Sequence, residues 1–552
     1  MNAFEISSSF IDQLAVLEPT DATLLGVHGH DHEWGDQSPD GVEALASLWS
    51  STRAEVAPHI SDPDPWQRHA ARVLTAWLDS KIVGYEAGDT YRSVNHTYST
   101  FQVLRDTFDQ MDRSTKEAWE NICSRLEGFT DVLRDYRATL EVGRQRELVQ
   151  SARQIESVAQ QARALASETS AFSVLPGQMA QAGFDLSDRL ASAIVAARGG
   201  AGEFAAYLES DYMPSAEPDD GVGAERYFRG VDYFLGTKLD PAETYAWGWE
   251  EVARLRSAMA EVAKDIVPDG SVAAAIDLLE NDPARAVDGT AAFAEFVRER
   301  QRMAVADLDG DHFDVPEAGK TITINIAPPS VPPGAWYIPA TEDNSRPGGV
   351  WYAFADRHVL PLYQEVSTAY HEGFPGHHLQ FAVVADLRQH LSRAHRTIIW
   401  YAGYGEGWAL YAERLMHELG YFEKPDYVMG FLVSQLFRAC RVVVDIGCHL
   451  GYRIPEQAPL GAGEVWSYER AVEMMRDIAR APAELATSEV KRYLGWPAQA
   501  ISYKIGERAI LGLRDDERRR LGSAFDLKEF HAKVLGHGEV RLDMLAEVVG
   551  WA

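Results

Sequence analysis

Apolar residues recur every three or four positions along most of this 552-residue chain, which is the period of an amphipathic helix. The clearest stretch is residues 116–170, where the spacing predicts two long helices or a hairpin of them. Residues 241–265 and 285–307 follow the same period. Asp240-Pro241 supplies a helix start, with Pro at the first helical position. The sequence therefore predicts a mainly α fold.

Residues 319–356 interrupt the helical pattern. TITINI alternates, WYIPA and GVWYAF are aromatic and β-prone, and clusters of Pro and Gly separate them. We interpret this segment as one small antiparallel sheet of two to four strands. The helical pattern resumes near Leu360, so the sheet precedes the helix that carries the most unusual motif of the chain.

The length alone does not fix the number of domains, because one domain usually takes about 100–200 residues. We predict a single helical unit over residues 1–552 that divides at most into two lobes. The N-terminal lobe would be residues 1–220. The C-terminal lobe would be residues 221–552, with the sheet at 319–356 and a group of helices at 360–420 that carries the motif described below. The stretch 210–224 is rich in Pro, Gly and Asp and is the expected exposed joint.

Acidic residues far outnumber basic ones: 83 Asp and Glu stand against 52 Lys and Arg, a formal net charge of −31. Such a chain repels nucleic acid and anionic membranes, so neither is an expected partner. The 3 Cys form no C-x-x-C pair, and the N-terminus lacks the features of a secretory signal. We therefore expect a cytoplasmic protein. The sequence leaves the oligomeric state open, with a homodimer among the alternatives.

The most unusual motif is HEGFPGHHLQ at residues 371–380. Zinc peptidases commonly place two His at positions i and i+4 of a helix, with a Glu directly after the first. Here position i+4 is Pro375, whereas His377 and His378 are at i+6 and i+7. In a regular helix neither of them reaches a metal bound by His371. A metal site therefore requires a distorted helix, which the Pro-Gly pair of the motif permits.

A two-residue bulge at Phe374-Pro375-Gly376 would place His377 where the second ligand normally lies. We therefore favour His377 over His378 as the ligand, which leaves His378 as an outer or substrate contact. The alternative is a surface helix that holds three His by chance. His is scarce, with 17 in 552 residues, so three close together beside a Glu favour the metal hypothesis.

A zinc site needs a third protein ligand and an open coordination position. Glu406 follows His371 by 35 residues, enough for one helix to end and a second to pair with it. Gly on both sides of Glu406 allows its carboxylate to approach a metal closely. Glu413, two turns later on the same face, is either a hydrogen-bond partner for a ligand His or an ordinary exposed acid. Glu365 is a weaker alternative ligand.

At these residues the chain resembles the bacterial family called domain of unknown function 885, whose members are regarded as zincin-like metallopeptidases. The matching blocks are spread over nearly the whole chain: ATLLGVHGHDHEWGD at 22–36, HEGFPGHHLQ at 371–380, EGWALYAE at 406–413, RVVVDIGCH at 441–449, RYLGWPAQAISYKIG at 492–506 and FDLKEFHAKVLGHGEV at 525–540. The resemblance implies a large helical fold similar to zinc peptidases of the thimet and Taq-carboxypeptidase type, with a Glu ligand on a second helix.

The resemblance also covers residues outside the motif. Arg441, Asp445 and His449 lie four apart on one helix face, either near the ligands or the substrate, or as a buried salt-bridged stripe. Helical zinc peptidases stabilise the oxyanion with a Tyr or His donor, which makes Tyr503 the first candidate and His531 the second. Ordinary packing would explain either side chain equally well.

A second group of histidines lies near the N-terminus. His28, His30 and His32 alternate in HGHDHE, a spacing that can chelate a metal from an extended strand. Capping of an N-terminal loop is the alternative that we favour.

These features together predict zinc-dependent hydrolysis of peptide bonds in short peptides, by an oligopeptidase or an exopeptidase. His371, His377 and Glu406 would hold Zn2+, and Glu372 would act as the general base. The expected partner is a short peptide or a small amide substrate. Two alternatives stay open: a zinc amidohydrolase acting on a non-peptide amide or a modified amino acid, and a degenerate zincin acting as a binding protein.

Overall fold

The computed structural model describes residues 1–328, 333–342 and 346–550. The chain is mainly helical, as predicted. The α-helices are α1 (Ala3–Leu17), α2 (Pro19–Leu25), α3 (Pro39–Val56), α4 (Pro65–Glu86), α5 (Thr100–Gln110), α6 (Lys116–Gln145), α7 (Ala152–Ala166), α8 (Leu175–Gln181), α9 (Ser187–Tyr207), α10 (Gly223–Leu235), α11 (Pro241–Ile266), α12 (Val272–Asn281), α13 (Thr290–Leu308), α14 (Glu365–Glu372), α15 (His377–Asp386), α16 (Arg393–Thr397), α17 (Ala402–Glu418), α18 (Pro425–Leu450), α19 (Tyr468–Glu473), α20 (Ala483–Gly495), α21 (Ser502–Leu521), α22 (Leu527–Leu535) and α23 (Leu542–Val549). The strands are β1 (Ala286–Asp288), β2 (Thr323–Ile326), β3 (Gly334–Ile338), β4 (Gly349–Ala353) and β5 (Val359–Pro361).

The helical period of the sequence predicted the long helices. The stretch 116–170 forms α6 and α7, which confirms the predicted pair. Asp240 caps α11 by accepting hydrogen bonds from two N–H groups of the first turn. The predicted stretch 285–307 begins too early, because residues Ala286–Asp288 form β1 and α13 begins only after Gly289.

The chain divides into two compact units. The N-terminal unit comprises residues 1–222, 392–397 and 491–496, and the C-terminal unit comprises residues 223–391, 398–490 and 497–552. A single boundary between residues 220 and 221 therefore describes this division only in part, because two short segments from late in the chain belong to the N-terminal unit.

The core of the N-terminal unit includes α6, α7 and α9, which pack together. The apolar stripe that the sequence placed on α6 faces this core: Trp119, Ile122 and Leu126 are each 0% exposed. The amphipathic pattern therefore identified which face of α6 is buried.

Glycines allow α17 and α21 of the C-terminal unit to pack closely. A Cβ on Gly407 would lie 2.5 Å from the Cα of Gly506, and a Cβ on Gly506 would overlap the carbonyl group of Gly403. The two backbones are therefore in direct contact, which only residues without a side chain permit. This contact brings Tyr503, one turn before Gly506, close to Glu406 beside Gly407.

The segment 319–356 contains a three-stranded sheet in the order β2-β4-β3. β3 and β4 are antiparallel, but β2 and β4 are parallel, so the prediction of a purely antiparallel sheet is wrong. Successive strands alternate in direction, yet β4 lies in the middle, so the first and third strands become neighbours that run the same way. A second antiparallel sheet pairs β1 with β5, which gives two sheets within the described residues where one was predicted.

One face of the three-stranded sheet packs against α13 and α14. Ile324 and Tyr352 from the sheet share a buried cluster with Phe293 of α13 and Ala369 of α14. The sheet therefore supports the helix that carries His371.

One helix among the described residues, α18, is long and apolar enough to cross a membrane. However, 78% of its most apolar stretch is buried inside the protein. In the C-terminal unit α18 packs along α11 and also contacts α14, α10 and α21. We therefore interpret α18 as a core helix.

Candidate metal centre

The motif at residues 371–380 is divided between two helices. α14 ends at Glu372, α15 begins at His377, and the residues between them are not helical. The predicted bulge within one helix is therefore wrong in form, because the helix breaks completely. The break still brings the two candidate ligands together, because the ring centroids of His371 and His377 lie 5.1 Å apart.

Gly376 is essential to the path of the chain at this break. A Cβ on Gly376 would overlap the carbonyl oxygens of Tyr370 and His371, the last turn of α14. Only a residue without a side chain lets the backbone pass so close to the end of that helix.

Side chains from two other helices hold the break. Gln301 on α13 accepts a hydrogen bond from the Phe374 N–H at 2.5 Å and donates one to the Ala369 carbonyl at 2.8 Å. Trp408 on α17 donates its indole N–H to the Pro375 carbonyl at 2.9 Å. These contacts satisfy the Phe374 N–H and the Pro375 carbonyl at the break, and they give the Ala369 carbonyl a second donor besides the Gly373 N–H.

His371, His377 and Glu406 converge on one point. Oε2 of Glu406 lies 3.3 Å from Nε2 of His371 and 3.5 Å from Nε2 of His377. Zinc bonds about 2.0–2.1 Å long at tetrahedral angles separate neighbouring ligand atoms by about 3.3–3.4 Å. The two separations from Glu406 are close to this value, and all three donor atoms lie within 4.8 Å of one another. Within the described part of the chain, no other group of three or more His, Cys, Asp or Glu meets this kind of spacing.

Glu413 orients His371. Its Oε1 lies 2.7 Å from Nδ1 of His371, and its Oε2 accepts hydrogen bonds from Ser367 at 2.5 Å and Ser434 at 3.3 Å. This contact places the imidazole proton on Nδ1 and leaves the Nε2 lone pair for a metal. Glu413 is 1% exposed, so the alternative of an ordinary surface acid is wrong.

Gln380 orients His377 in a similar way. Its Oε1 lies 3.2 Å from Nδ1 of His377, and its Nε2 donates to Glu539. Glu539 also accepts a hydrogen bond from the Tyr401 N–H at 3.3 Å. Burial and the charge of nearby Glu406 raise the pKa of Glu539 well above its ordinary value. Both candidate His ligands therefore have a hydrogen-bonded Nδ1 and an Nε2 that faces Glu406.

His371 and Glu406 each stabilise the charged form of the other. Burial alone would lower the pKa of His371, but hydrogen bonds to Glu406 and Glu413 raise it to about 9. Burial alone would raise the pKa of Glu406, yet hydrogen bonds from His371 and His377 hold it well below its ordinary value. Without a metal, His371 is therefore protonated at neutral pH beside an ionised Glu406. A divalent cation would replace that proton.

We predict a pH-dependent stability for the metal-free protein. The pKa of His371 is about 9 in the folded chain and about 6.5 in an unfolded one. Its stabilising effect is therefore complete below pH 6.5 and is lost as the pH rises through about 9. The Tm of chelator-treated protein should fall over this interval, and less so in His371→Gln. A wild-type fall no larger than that of the variant would contradict the assignment.

Glu372, His378 and Glu365 lie at different positions relative to the triad. Glu372 is the last residue of α14, is 9% exposed, and lies close enough for its charge to raise the pKa of His371. His378 faces the sheet instead, with Nδ1 3.2 Å from the Tyr337 hydroxyl, and burial lowers its pKa to about 4. The structure therefore does not bring His378 into the triad. Glu365, at the first position of α14, is not part of it either.

Gly405 makes room for an aromatic side chain beside the triad. A Cβ on Gly405 would overlap the Trp400 ring. That ring lies 6.0 Å from the ring of His377, stacks on Phe381 at 5.8 Å, and is 39% exposed. The glycines around Glu406 thus accommodate neighbouring groups, whereas the sequence suggested that they free the carboxylate.

Tyr503 lies against the triad. Its ring stacks on that of His371 at a centroid distance of 6.2 Å and an interplanar angle of 17°. The guanidinium carbons of Arg441 and Arg438 lie 4.6 Å and 5.7 Å from the centre of the Tyr503 ring. Arg441 also forms an ion pair with Glu489 at 2.7 Å. Tyr503 therefore lies beside His371, whereas Arg441 contacts Tyr503 and is held in a buried ion pair, which agrees with the salt-bridged alternative for Arg441.

The comparison with known families identifies the family of this chain. The sequence pattern of the family described as "Bacterial protein of unknown function", domain of unknown function 885, matches residues 19–549. The chain belongs to this family. No curated protein shows significant sequence similarity to it.

Two solved structures have the same fold as this protein. A "putative lipoprotein" from Colwellia psychrerythraea has a TM-score of 0.82 and 22% identity, with 99% of this chain and 98% of that chain covered. A "putative lipoprotein of unknown function" from Shewanella oneidensis has a TM-score of 0.76 and 17% identity, with 100% of each chain covered. At this identity the similarity shows the fold alone. The cytoplasmic location of the present chain stays a prediction.

Asp445 and His449 form part of a buried cluster. Asp445 accepts hydrogen bonds from the Tyr227 hydroxyl at 2.8 Å and from the Ala498 N–H at 3.1 Å. Nε2 of His449 lies 3.8 Å from Asp445. Ala498 has a positive φ of 69°, which is costly for a residue with a side chain. The cluster therefore stabilises the turn that leads into α21 and so positions Tyr503 indirectly.

His531 is buried, and both of its ring nitrogens have hydrogen-bond partners. Its Nε2 lies 2.8 Å from the Tyr411 hydroxyl, its Nδ1 lies 3.0 Å from the His312 carbonyl, and its ring stacks on Phe313 at 4.6 Å. Burial lowers its pKa to about 3, so the ring is neutral at neutral pH. Both ring nitrogens of His531 therefore have hydrogen-bond partners within the protein.

His28 and His32 lie in turns with His30 between them, so the three histidines do not form an extended strand. His32 is 3.2 Å from Glu33, and the His30 carbonyl accepts a hydrogen bond from Arg125 at 3.3 Å. Among the residues that the structure describes, His28, His30 and His32 belong to no group with metal-ligand spacing.

Several residues that hold or border the triad were missed in the sequence. Gln380 offered a signal, because it follows His377 by three positions on one helix and therefore shares its face. Ser367 offered a similar signal, because it precedes His371 by four positions on α14. The others come from other helices or loops, and nothing in their local sequence marks them. The residues missed are Gln301, Ser367, Gln380, Trp400, Ser434, Arg438 and Glu539.

Proposed function

We propose that this protein is a zinc-dependent peptidase that acts on short peptides. The observation that carries the proposal is the convergence of two Nε2 atoms and one carboxylate oxygen at 3.3 Å and 3.5 Å, distances that suit a tetrahedral zinc ion. The hydrogen bonds of Glu413 and Gln380, which fix both imidazole rings, support it. Zinc, when bound, supplies a Lewis acid that polarises a carbonyl group and acidifies water.

The chain itself supplies the groups that move protons and stabilise charge. Glu372 follows a candidate ligand directly and is the proposed base that takes a proton from water and delivers it to the leaving amine. Tyr503 stacks on His371 and is half-buried, so its hydroxyl is the proposed donor to the oxyanion of the tetrahedral intermediate.

The edge of the sheet is the proposed support for the substrate backbone. Within the described residues β3 pairs with β4 on one side only. Tyr337 of β3 contacts His378 and Phe381 of α15, so this strand lies beside the helix that begins with His377. An extended peptide can pair with such an edge through main-chain hydrogen bonds. Trp400 would then offer an apolar contact to a substrate side chain.

We predict that Glu372→Gln abolishes turnover without removing zinc. General base catalysis contributes about 10²–10⁴-fold to rate, and the amide of Gln cannot accept the proton. A peptide mixture and a set of acyl amides, analysed by mass spectrometry after incubation, would measure turnover, and elemental analysis would measure zinc. Cleavage of acyl amides but not peptides would favour the amidohydrolase alternative. A zinc-loaded wild-type protein that cleaves neither would contradict the proposal.

A further inference from the structure

Arg438 on α18 forms no direct ion pair with a carboxylate among the described residues. Its charge acts on the buried Glu413, but the carboxylate oxygens of Glu413 are already bonded to His371, Ser367 and Ser434. Its guanidinium donates to the hydroxyl of Ser434 at 2.7 Å, and its buried Nε has no hydrogen-bond partner. No Asp or Glu of the described residues forms an ion pair with it, whereas its neighbour Arg441 is paired with Glu489. In a chain where 83 acidic residues accompany 52 basic ones, a half-buried arginine without a direct ion pair is unusual. Unpaired guanidinium groups in partly buried positions commonly bind carboxylates.

Arg438 lies near the candidate metal centre. Its guanidinium carbon is 5.7 Å from the centre of the Tyr503 ring, which in turn is 6.2 Å from the ring of His371. The guanidinium therefore lies within about 12 Å of the His371 ring, and an extended chain spans about 3.3–3.6 Å per residue. Both Arg438 and Tyr503 are half-buried, so a bound peptide can reach them.

We propose that Arg438, beside Tyr503, binds the C-terminal carboxylate of the substrate, one to three residues beyond the scissile bond. The inference rests on the proposed function and makes the protein a carboxyl-directed exopeptidase that releases a short C-terminal fragment. A guanidinium matches the planar carboxylate and remains charged at every pH that the protein tolerates. Cleavage far from a C-terminus would leave this charge without a partner.

A purely structural role for Arg438 gives a different expectation. Ser434, which accepts from Arg438, also donates to Glu413, the residue that orients His371. Arg438 would then act only by holding Glu413 in place. In that case its loss would slow the cleavage of every substrate equally and would lower zinc affinity, whatever the chemistry of the peptide terminus.

The test uses a random tetrapeptide library in two forms, with a free C-terminal carboxylate and with a C-terminal amide. For the zinc-loaded wild-type protein we expect kcat/KM to be about 10- to 100-fold higher for the free acids, the range expected when a hydrogen bond to a charged group is lost. Arg438→Gln should reduce this ratio to near one with its zinc content unchanged. Arg438→Lys, which keeps the charge, should retain part of the ratio.

Ser434→Ala is the matched control, because it removes the link to Glu413 and leaves the guanidinium in place. It should keep the acid-to-amide ratio of the wild type. Equal cleavage of acids and amides by the wild type would overturn the carboxylate site and leave the peptidase proposal intact. An unchanged ratio in Arg438→Gln would also overturn the site. Cleavage of neither library would overturn the proposed function itself.

Discussion

Replacing His377 with Ala is expected to lower the zinc affinity at least about 100-fold. Structural zinc sites gain about 10–16 kcal/mol on binding, so one protein ligand of three accounts for several kcal/mol of it. His378→Ala is expected to lower the affinity by less than about tenfold, because His378 faces Tyr337 and lies outside the triad. Competition with a chromophoric zinc chelator at fixed pH would measure both affinities.

The pair His377 and His378 provides its own control. Both residues are buried, at 6% and 4% exposure, and they are consecutive in the first turn of α15. Replacing either one removes the same volume from the same helix, so a general loss of stability would affect the two variants alike. A larger loss of zinc affinity in His378→Ala would contradict the ligand assignment and the direction in which the break turns α15.

The substitution Gly376→Ala should destabilise the C-terminal unit and weaken zinc binding together. The new Cβ would overlap backbone oxygens of Tyr370 and His371, which have no freedom to move aside as a flexible side chain would. Overpacking in a well-packed site costs about 1–3 kcal/mol, and a clash with backbone belongs at or above the upper end. Any relief moves α14 relative to α15 and so separates His371 from His377. Thermal unfolding and zinc competition would measure the two effects.

Gly512→Ala is the control for this substitution. Gly512 lies in α21 of the same unit, and a Cβ there meets no atom within 4 Å. An alanine in an exposed helix is more favourable than glycine by about 1 kcal/mol, so this variant should be as stable as the wild type or more so. If Gly376→Ala behaves like Gly512→Ala, the turn does not depend on a glycine and our account of the break is wrong.

The sequence predicted the helical class because amphipathic periodicity is a local signal. The spacing of Trp119, Ile122 and Leu126 was enough to identify α6 and its buried face. The sheet was harder, because strand order depends on which strand takes the central place. That choice is made by packing against α13 and α14, through residues such as Phe293 and Ala369, and leaves no mark in the strand sequences.

Within the metal centre, the sequence showed where a helix has to break but not how. Pro375 and Gly376 identified the position, and helical geometry made His377 the favoured partner of His371. The complete separation of α14 from α15 depends on Gln301, which comes from a helix some seventy residues earlier. No local pattern links such distant residues.

The roles assigned from spacing alone were less secure than those assigned from chemistry. Asp445 and His449 share a helix face with Arg441, but Asp445 accepts a hydrogen bond from the Ala498 N–H and so stabilises the turn there, and His449 lies 3.8 Å from Asp445. His531 belongs to a block that resembles the family, yet both of its ring nitrogens are used in packing. Side-chain direction and burial decide these roles, and neither is encoded in residue spacing.

Zinc-edge anomalous diffraction from crystals of the zinc-loaded protein would examine the coordination directly. We expect one strong peak per chain, bonded to Nε2 of His371, Nε2 of His377 and the carboxylate of Glu406 at about 2.0–2.2 Å. A map with no peak among these three side chains, or with the only peak at His378 or at His28, His30 and His32, would contradict the account.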